Sequence, residues 1–216
     1  MDFIERKYTL GEEIFNAVSH GTGALLSIAG CVVIIVFSAI YGEAIDVASS
    51  AIYGSSLIIL YTMSTLYHAI THPKAKRVFR ILDYSTIFLL VAGTYTPLCL
   101  SCLGGVLGWT VFGVVWAAAV LGIIFSSINL KKFRTVSTIC YIVMGWGIIA
   151  LIPELRDSVP KISLIFLILG GVFYTGGVVF FRMKNLKYMH SIWHLFVIAG
   201  SIWHYFSIFF SIITFD

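Results

Sequence analysis

Charge is scarce in this chain of 216 residues: 14 Lys and Arg and 10 Asp and Glu make up 11% of it. A soluble domain carries about a quarter of its residues as charges. The shortfall excludes an ordinary water-soluble fold. Proline is scarce as well, at 4 residues, so long helices can run without interruption. No low-complexity stretch or internal repeat stands out. No basic domain or nucleic-acid motif is present, so no nucleic-acid partner is expected. The start, MDFIERKYTLGEE, is polar and mixed in charge. It lacks the short apolar core of a cleavable signal peptide, so the first apolar run is expected to stay in the mature protein. Cysteine, also at 4 residues, says little. Cys31 and Cys140 read as small apolar helix residues. Cys99-Leu-Ser-Cys102 has CxxC spacing and reads as ordinary packing, with a redox or metal role the alternative.

What is abundant is apolar sequence: 59% hydrophobic, 15% aromatic, mean hydropathy +0.98. Runs of ~20 residues, long enough to cross a bilayer, fall at about 16–41, 47–70, 82–101, 105–127, 135–153, 162–181 and 190–213. The expected fold is an all-α membrane protein, one seven-transmembrane bundle over residues 1–216 with no separate soluble domain. Pro73, Pro153 and Pro160 punctuate the run ends. Pro97, inside the third run, predicts a kink or an early helix end near the outer leaflet. Gly21, Gly23, Gly145, Gly147, Gly176 and Gly177 would let helices approach closely.

The cations divide unevenly between the two ends of these spans. Arg6, Lys7, Lys74, Lys76, Arg77, Arg80, Lys131, Lys132, Arg134, Arg182, Lys184 and Lys187 fall on one side, and only Arg156 and Lys161 on the other. The positive-inside rule then places the N-terminus in the cytoplasm and the C-terminus outside. The expected location is the cell inner (plasma) membrane, with multiple passes.

Within this apolar chain, ionisable groups recur at one depth. His68 ends span 2, Asp83 opens span 3, and His190 and His194 start span 7, all at the cytoplasmic end. A single membrane histidine is more often hydrogen-bonded to a neighbouring helix, but an intramembrane cluster is a functional hypothesis by default. His190-Ser-Ile-Trp-His194 puts two imidazoles on one helical face. Three imidazoles and a carboxylate suit a catalytic zinc ion, which keeps one position for water. A carboxylate near that position can hold and deprotonate the water for attack on an ester or amide carbonyl. The expected metal ligands are His68, His190, His194 and Asp83; the expected catalytic residues are Asp83 and Ser64. Ser64 shares the face of His68 and can orient a ligand, a water or a substrate carbonyl. His20 shares a face with Glu12 and Asn16 and is expected to pack or support rather than to ligate. His204, ten residues past His194 and so ~15 Å along the helix, cannot bind the same ion. His72 is expected in solvent.

Ser64-Thr-Leu-Tyr-His68, Leu82-Asp83-Tyr84-Ser85 and His190-Ser-Ile-Trp-His194, in that order, resemble the signature of the hemolysin III proteins, as does Glu12-Glu-Ile-Phe-Asn-Ala-Val-Ser-His-Gly21. Those are the bacterial branch of the progestin and adiponectin receptor family, in the wider group that includes alkaline ceramidases. The resemblance covers essentially the whole chain. It implies seven helices, zinc on the histidines matching His68, His190 and His194, and an aspartate matching Asp83 that acts directly or through water. It also implies lipid amide hydrolysis in a cavity that opens between helices. Membrane lipid is the expected partner, as substrate. The alternatives are a non-enzymatic lipid-sensing or membrane-homeostasis protein, and a cytolysin. The longer N-terminal region of the animal receptors is missing, so a receptor role through it is unsupported.

Overall fold

The computed structural model describes residues 8–183 and 185–213. Arg6, Lys7 and Lys184 of the basic face lie outside them, as does the side chain of Lys131. Seven helices among the described residues are long and apolar enough to cross a membrane. Their regular parts are α1 (Leu10–Tyr41), α2 (Ala44–Ala69), α3 (Pro73–Pro97), α4 (Gly105–Ile128), α5 (Leu130–Trp146), α6 (Lys161–Arg182) and α7 (Met189–Ile212), with the third span reaching Leu103 and the fifth Leu155.

Most ends follow from local chemistry. Thr9 and Glu12 form a capping box at the start of α1: Thr9 Oγ1 accepts from Glu12 N at 3.3 Å, and Glu12 Oε2 accepts from Thr9 N at 2.9 Å. This satisfies two orphan amides and starts the helix ahead of the apolar run near residue 16. Pro73 occupies the first turn of α3, where a missing N–H costs nothing. That helix therefore begins well before residue 82. Lys74, Lys76, Arg77 and Arg80 lie on its opening turns rather than in a loop, and Asp83 lies inside it rather than at its start. Lys132 and Arg134 likewise sit on the first turns of α5, and exposed His72 is the cap residue of α3.

At the opposite end, regular α3 stops at Pro97, as its sequence suggested, and one π-helical turn, Leu98–Leu103, prolongs it. Gly104 and Gly105, at φ 60° and 53°, then reverse the chain into α4. Cys99 and Cys102 sit in that turn, and all four cysteines are free. Helix α5 runs on through a 3-10 segment, Gly147–Leu151, and a short α-helical turn, Ile152–Leu155, before Pro160 leads into α6.

The outer surface is apolar. Leu25, Val32, Val114, Val143 and Val179 are exposed along the helices. Water would not tolerate such a surface on a monomer; lipid does, and helices satisfy their own backbones there. The chain is a multi-pass membrane protein, for which the inner (plasma) membrane is the expected location. The interior is mixed. Tyr53, Leu57, Leu60, Tyr61, Trp193 and Ile208 form the main core, while serine pairs bridge neighbouring helices: Ser38 with Ser50 at 2.8 Å and Ser126 with Ser137 at 3.1 Å. Small residues bring backbones together, though not all those expected. Gly23 lies under the Tyr61 ring and Gly177 under Trp193, but a Cβ at Gly145 would meet no described atom within 4 Å. Gly54 gives the tightest seam between α1 and α2, where a Cβ would overlap Cys31 Sγ.

Packing at that seam is testable. Gly54→Val should destabilise the protein by about 1–3 kcal/mol through overpacking. Cys31→Ala in the same chain should recover part of the loss. Thermal unfolding of the purified variants in detergent measures both; a Gly54→Val protein that melts like the parent would contradict the seam.

Candidate metal centre

Where α1, α3, α5 and α7 begin and α2, α4 and α6 end, the bundle carries most of its described cations, and there the histidines meet. His68 comes from the last turn of α2 and His190 and His194 from the first turns of α7. One ring nitrogen from each lies within 4.8 Å of the others. His190 Nε2 and His194 Nε2 face each other at 3.1 Å. Tetrahedral ligands at ~2.0–2.1 Å from a zinc ion are about 3.4 Å apart, so small inward shifts close the set.

Each of two rings has its far nitrogen tied down. His68 Nδ1 meets Glu13 Oε2 at 2.6 Å, and Glu13 Oε1 binds Lys76 Nζ at 2.8 Å. A carboxylate only accepts when ionised, so Nδ1 carries the proton. Nε2 is left as a lone pair, buried and without a partner. Asn16 Nδ2 stands farther off, at 3.5 Å from the same Nδ1. Ser19 Oγ donates to Asn16 O at 3.1 Å and so can accept from His194 Nδ1 at 3.4 Å. That again aims the Nε2 lone pair inward. Oriented imidazoles with carboxylate or hydroxyl behind them are the usual support of a metal site. An unpartnered buried nitrogen is costly otherwise. The donor set and its orphaned nitrogen therefore fit a divalent metal ion.

The remaining expected residues lie close by. Asp83 and Ser64 line the same cavity as His190 and His194, about 390 Å³ of empty space with its open side included. Ser64 is buried, and its hydroxyl lies against the Asp83 carboxylate, to which it can donate. Asp83 is not among the three residues whose ligand atoms cluster. His20 stacks on His194, ring centroids 3.5 Å apart and 15° from parallel, with its edge to Tyr61. It packs against a candidate ligand and is not itself in the cluster. His204 lies far along α7, where its Nε2 is 3.1 Å from Leu167 O.

Several contributors were not apparent from sequence. Glu13 looks like a second capping acid beside Glu12; only the fold aims it at His68. Tyr8 stacks on His190 at 5.0 Å and lies 5.6 Å from His68, closing the cluster from the N-terminal side. Ser191, one residue past His190, donates to buried Asn16 Oδ1 at 2.7 Å. The spacing of Glu12, Asn16 and His20 hinted at this buried polar face, but nothing in it named the partners.

Known proteins resemble this chain in sequence. A family model described as Haemolysin-III related matches residues 8–205. The chain is 44% identical to Hemolysin-3 of Bacillus cereus over 202 residues, 94% of this chain and 92% of that protein. It is also 44% identical to the Hemolysin-3 homolog of Bacillus subtilis (strain 168) over 203 residues, 94% and 95% of the two chains. A human protein, Monocyte to macrophage differentiation factor, is 27% identical over 169 residues, 73% of this chain and 67% of its own.

The support around the rings predicts a graded series. His194→Ala should lose most of the bound divalent metal. Glu13→Gln should keep the ligands but weaken binding ~10–100-fold. Metal titration of purified protein, read by atomic absorption, separates the two. Equal affinity in Glu13→Gln and the parent would remove Glu13 from the centre.

Proposed function

From the premise that the chain belongs to the Haemolysin-III related family, we propose that it is a zinc-dependent membrane hydrolase of a lipid amide or ester, with its site at the cytoplasmic leaflet. The observation that carries this reading is the juxtaposition of the His68, His190 and His194 cluster with a carboxylate and a long apolar cavity. The site cavity shares Leu60, Ile87, Trp193 and Val197 with a second cavity, about 910 Å³ of empty space with its open side included. Its walls are almost wholly apolar, which suits an acyl chain.

The three histidines would hold the ion, with Asp83 near it. When bound, zinc supplies a Lewis acid that polarises a carbonyl and makes water a better nucleophile at neutral pH. The residues of the chain do the rest. The Asp83 carboxylate accepts a proton from the attacking water and returns it to the leaving nitrogen or oxygen. Water adds across the acyl bond, giving a carboxylic acid and an amine or alcohol. The hydroxyl of Ser64, beside Asp83, donates to the substrate carbonyl oxygen. Trp193 and Phe181 in the site wall keep bulk water out.

Sidedness follows from charge. Lys74, Lys76, Arg77 and Arg80 cluster at the site's end of the bundle, and the positive-inside rule puts that end in the cytoplasm. Each exposed cation attracts anionic head groups by about 1 kcal/mol near the surface. Product then leaves toward the inner leaflet.

Two measurements test this. Purified protein should release acyl chains from a lipid amide or ester, and a chelator should stop it. Asp83→Asn should keep much of the metal yet lose hydrolysis by two orders of magnitude or more. Activity in that variant would remove Asp83 as base, and absence of any chelator-sensitive release would favour a non-enzymatic lipid sensor. For sidedness, the four native cysteines are replaced and single cysteines introduced. Thr71→Cys should react with an impermeant thiol reagent only after cells are opened, and Asp157→Cys in intact cells. The reverse pattern would invert the bundle and put the site outside.

A further inference from the structure

His204 is a partly buried imidazole for which the proposed hydrolysis has no use. It lies on α7 ten residues beyond His194, about 15 Å further along the axis, and lines the apolar cavity. Its Nε2 is 3.1 Å from Leu167 O. A carbonyl oxygen only accepts, so Nε2 carries the ring proton. In the neutral ring, Nδ1 is then a bare acceptor, and it is buried with no hydrogen-bond partner. The ring cannot easily turn away. It rests on Gly170, where a Cβ would overlap it, and stands edge to face with Tyr174 at 5.1 Å.

Neighbouring polar groups on the same wall are already engaged inside the protein. Tyr174 bonds Ser201 at 2.7 Å, Tyr95 donates to Met144 O at 2.6 Å, Trp146 donates to Thr175 at 2.8 Å, and Thr94 donates to Leu90 O at 2.8 Å. An acceptor left over in a hydrocarbon wall costs free energy unless a ligand supplies a donor.

We infer that His204 Nδ1 is a recognition point for a hydroxyl group on the long chain that occupies the cavity. The inference rests on the acyl-cavity reading above and narrows its ligand class to hydroxylated long-chain acyl groups. Depth sets the position of the hydroxyl. An extended alkyl chain advances ~1.25 Å per carbon, from C–C bonds of about 1.5 Å at the tetrahedral angle. The distance from His194 to His204 therefore corresponds to about twelve carbons. The hydroxyl donates to Nδ1, Nε2–H stays on Leu167 O, and no proton changes hands.

Binding of free acids tests this without requiring turnover. The probes are octadecanoic, 12-hydroxyoctadecanoic and 3-hydroxyoctadecanoic acid, titrated calorimetrically into the full-length, metal-loaded protein in detergent. Wild type should bind the 12-hydroxy acid more tightly than the other two. The ratio of its affinity to that of octadecanoic acid should fall about tenfold in His204→Phe, the loss of one buried hydrogen bond. Affinity for plain octadecanoic acid should hold, which also reports that the variant is folded. If the phenyl ring does not fit over Gly170, the smaller His204→Leu also removes the acceptor and should show the same loss of preference. Equal affinity for the three acids in wild type, or a 12-hydroxy preference that survives both substitutions, overturns the His204 inference and leaves the acyl cavity standing. Failure of all three acids to bind overturns both.

Discussion

The polar face at the start of α1 is the constraint on which the site depends. Glu12, Glu13, Asn16 and Ser19 reach toward three different helices from one short stretch. Glu12, 1% exposed, accepts from its own cap residue and, at 2.8 Å, from the backbone N–H of Tyr188. Tyr188 sits at φ 61°, a left-handed backbone that costs an aromatic residue about 1–3 kcal/mol. The Glu12 bond helps to hold it there, and that turn starts α7 two residues before His190. Asn16 takes Ser191, Ser19 takes His194 and Glu13 takes His68. Sequence-distant rings thus converge because one helix offers each of their neighbours a hydrogen bond.

This arrangement costs stability in a place where little can replace it. Between helices in lipid there is no hydrophobic drive, so association rests on close packing and on interhelical hydrogen bonds worth about 0.6 kcal/mol each. The seam at Gly54 and the serine pairs supply both for the scaffold. At the site end, polar groups are buried beyond what packing needs: His68 Nε2, for one, has no partner among the described residues. Groups left so are a natural place for a ligand to gain affinity, because binding removes a cost already present.

The same reasoning links the centre to the apolar cavity. The wall residues Trp193 and Val197 belong to the helix that carries His190, His194 and His204. One helix therefore presents the candidate ligands at its start and an unpartnered acceptor three turns later, with the cavity alongside. On the proposed reading, chemistry and chain recognition would share a single rigid ruler, with their spacing fixed by helical rise rather than by flexible loops.

Much of this was legible in sequence because it rests on local rules. Apolar runs set the seven spans, and the i, i+4 spacing of His190 and His194 put them on one face. Low charge with one-sided cations assigned the basic end. The helices start ahead of the apolar runs, at Leu10 and Pro73, because capping and a permissive proline extend a helix past its apolar stretch, through the interface where charge is welcome. Tertiary structure alone decided the rest. Whether Glu12 or Glu13 would reach His68, that Tyr8 would cover the rings, and that His204 would line a cavity with a nitrogen to spare depend on the rotation and approach of whole helices. Those are fixed by contacts between residues far apart in the chain, such as Asn16 with Ser191 and Gly170 with His204, and sequence spacing carries no information about such pairs. Sequence determined which residues are expensive to bury; the fold decided which of them meet.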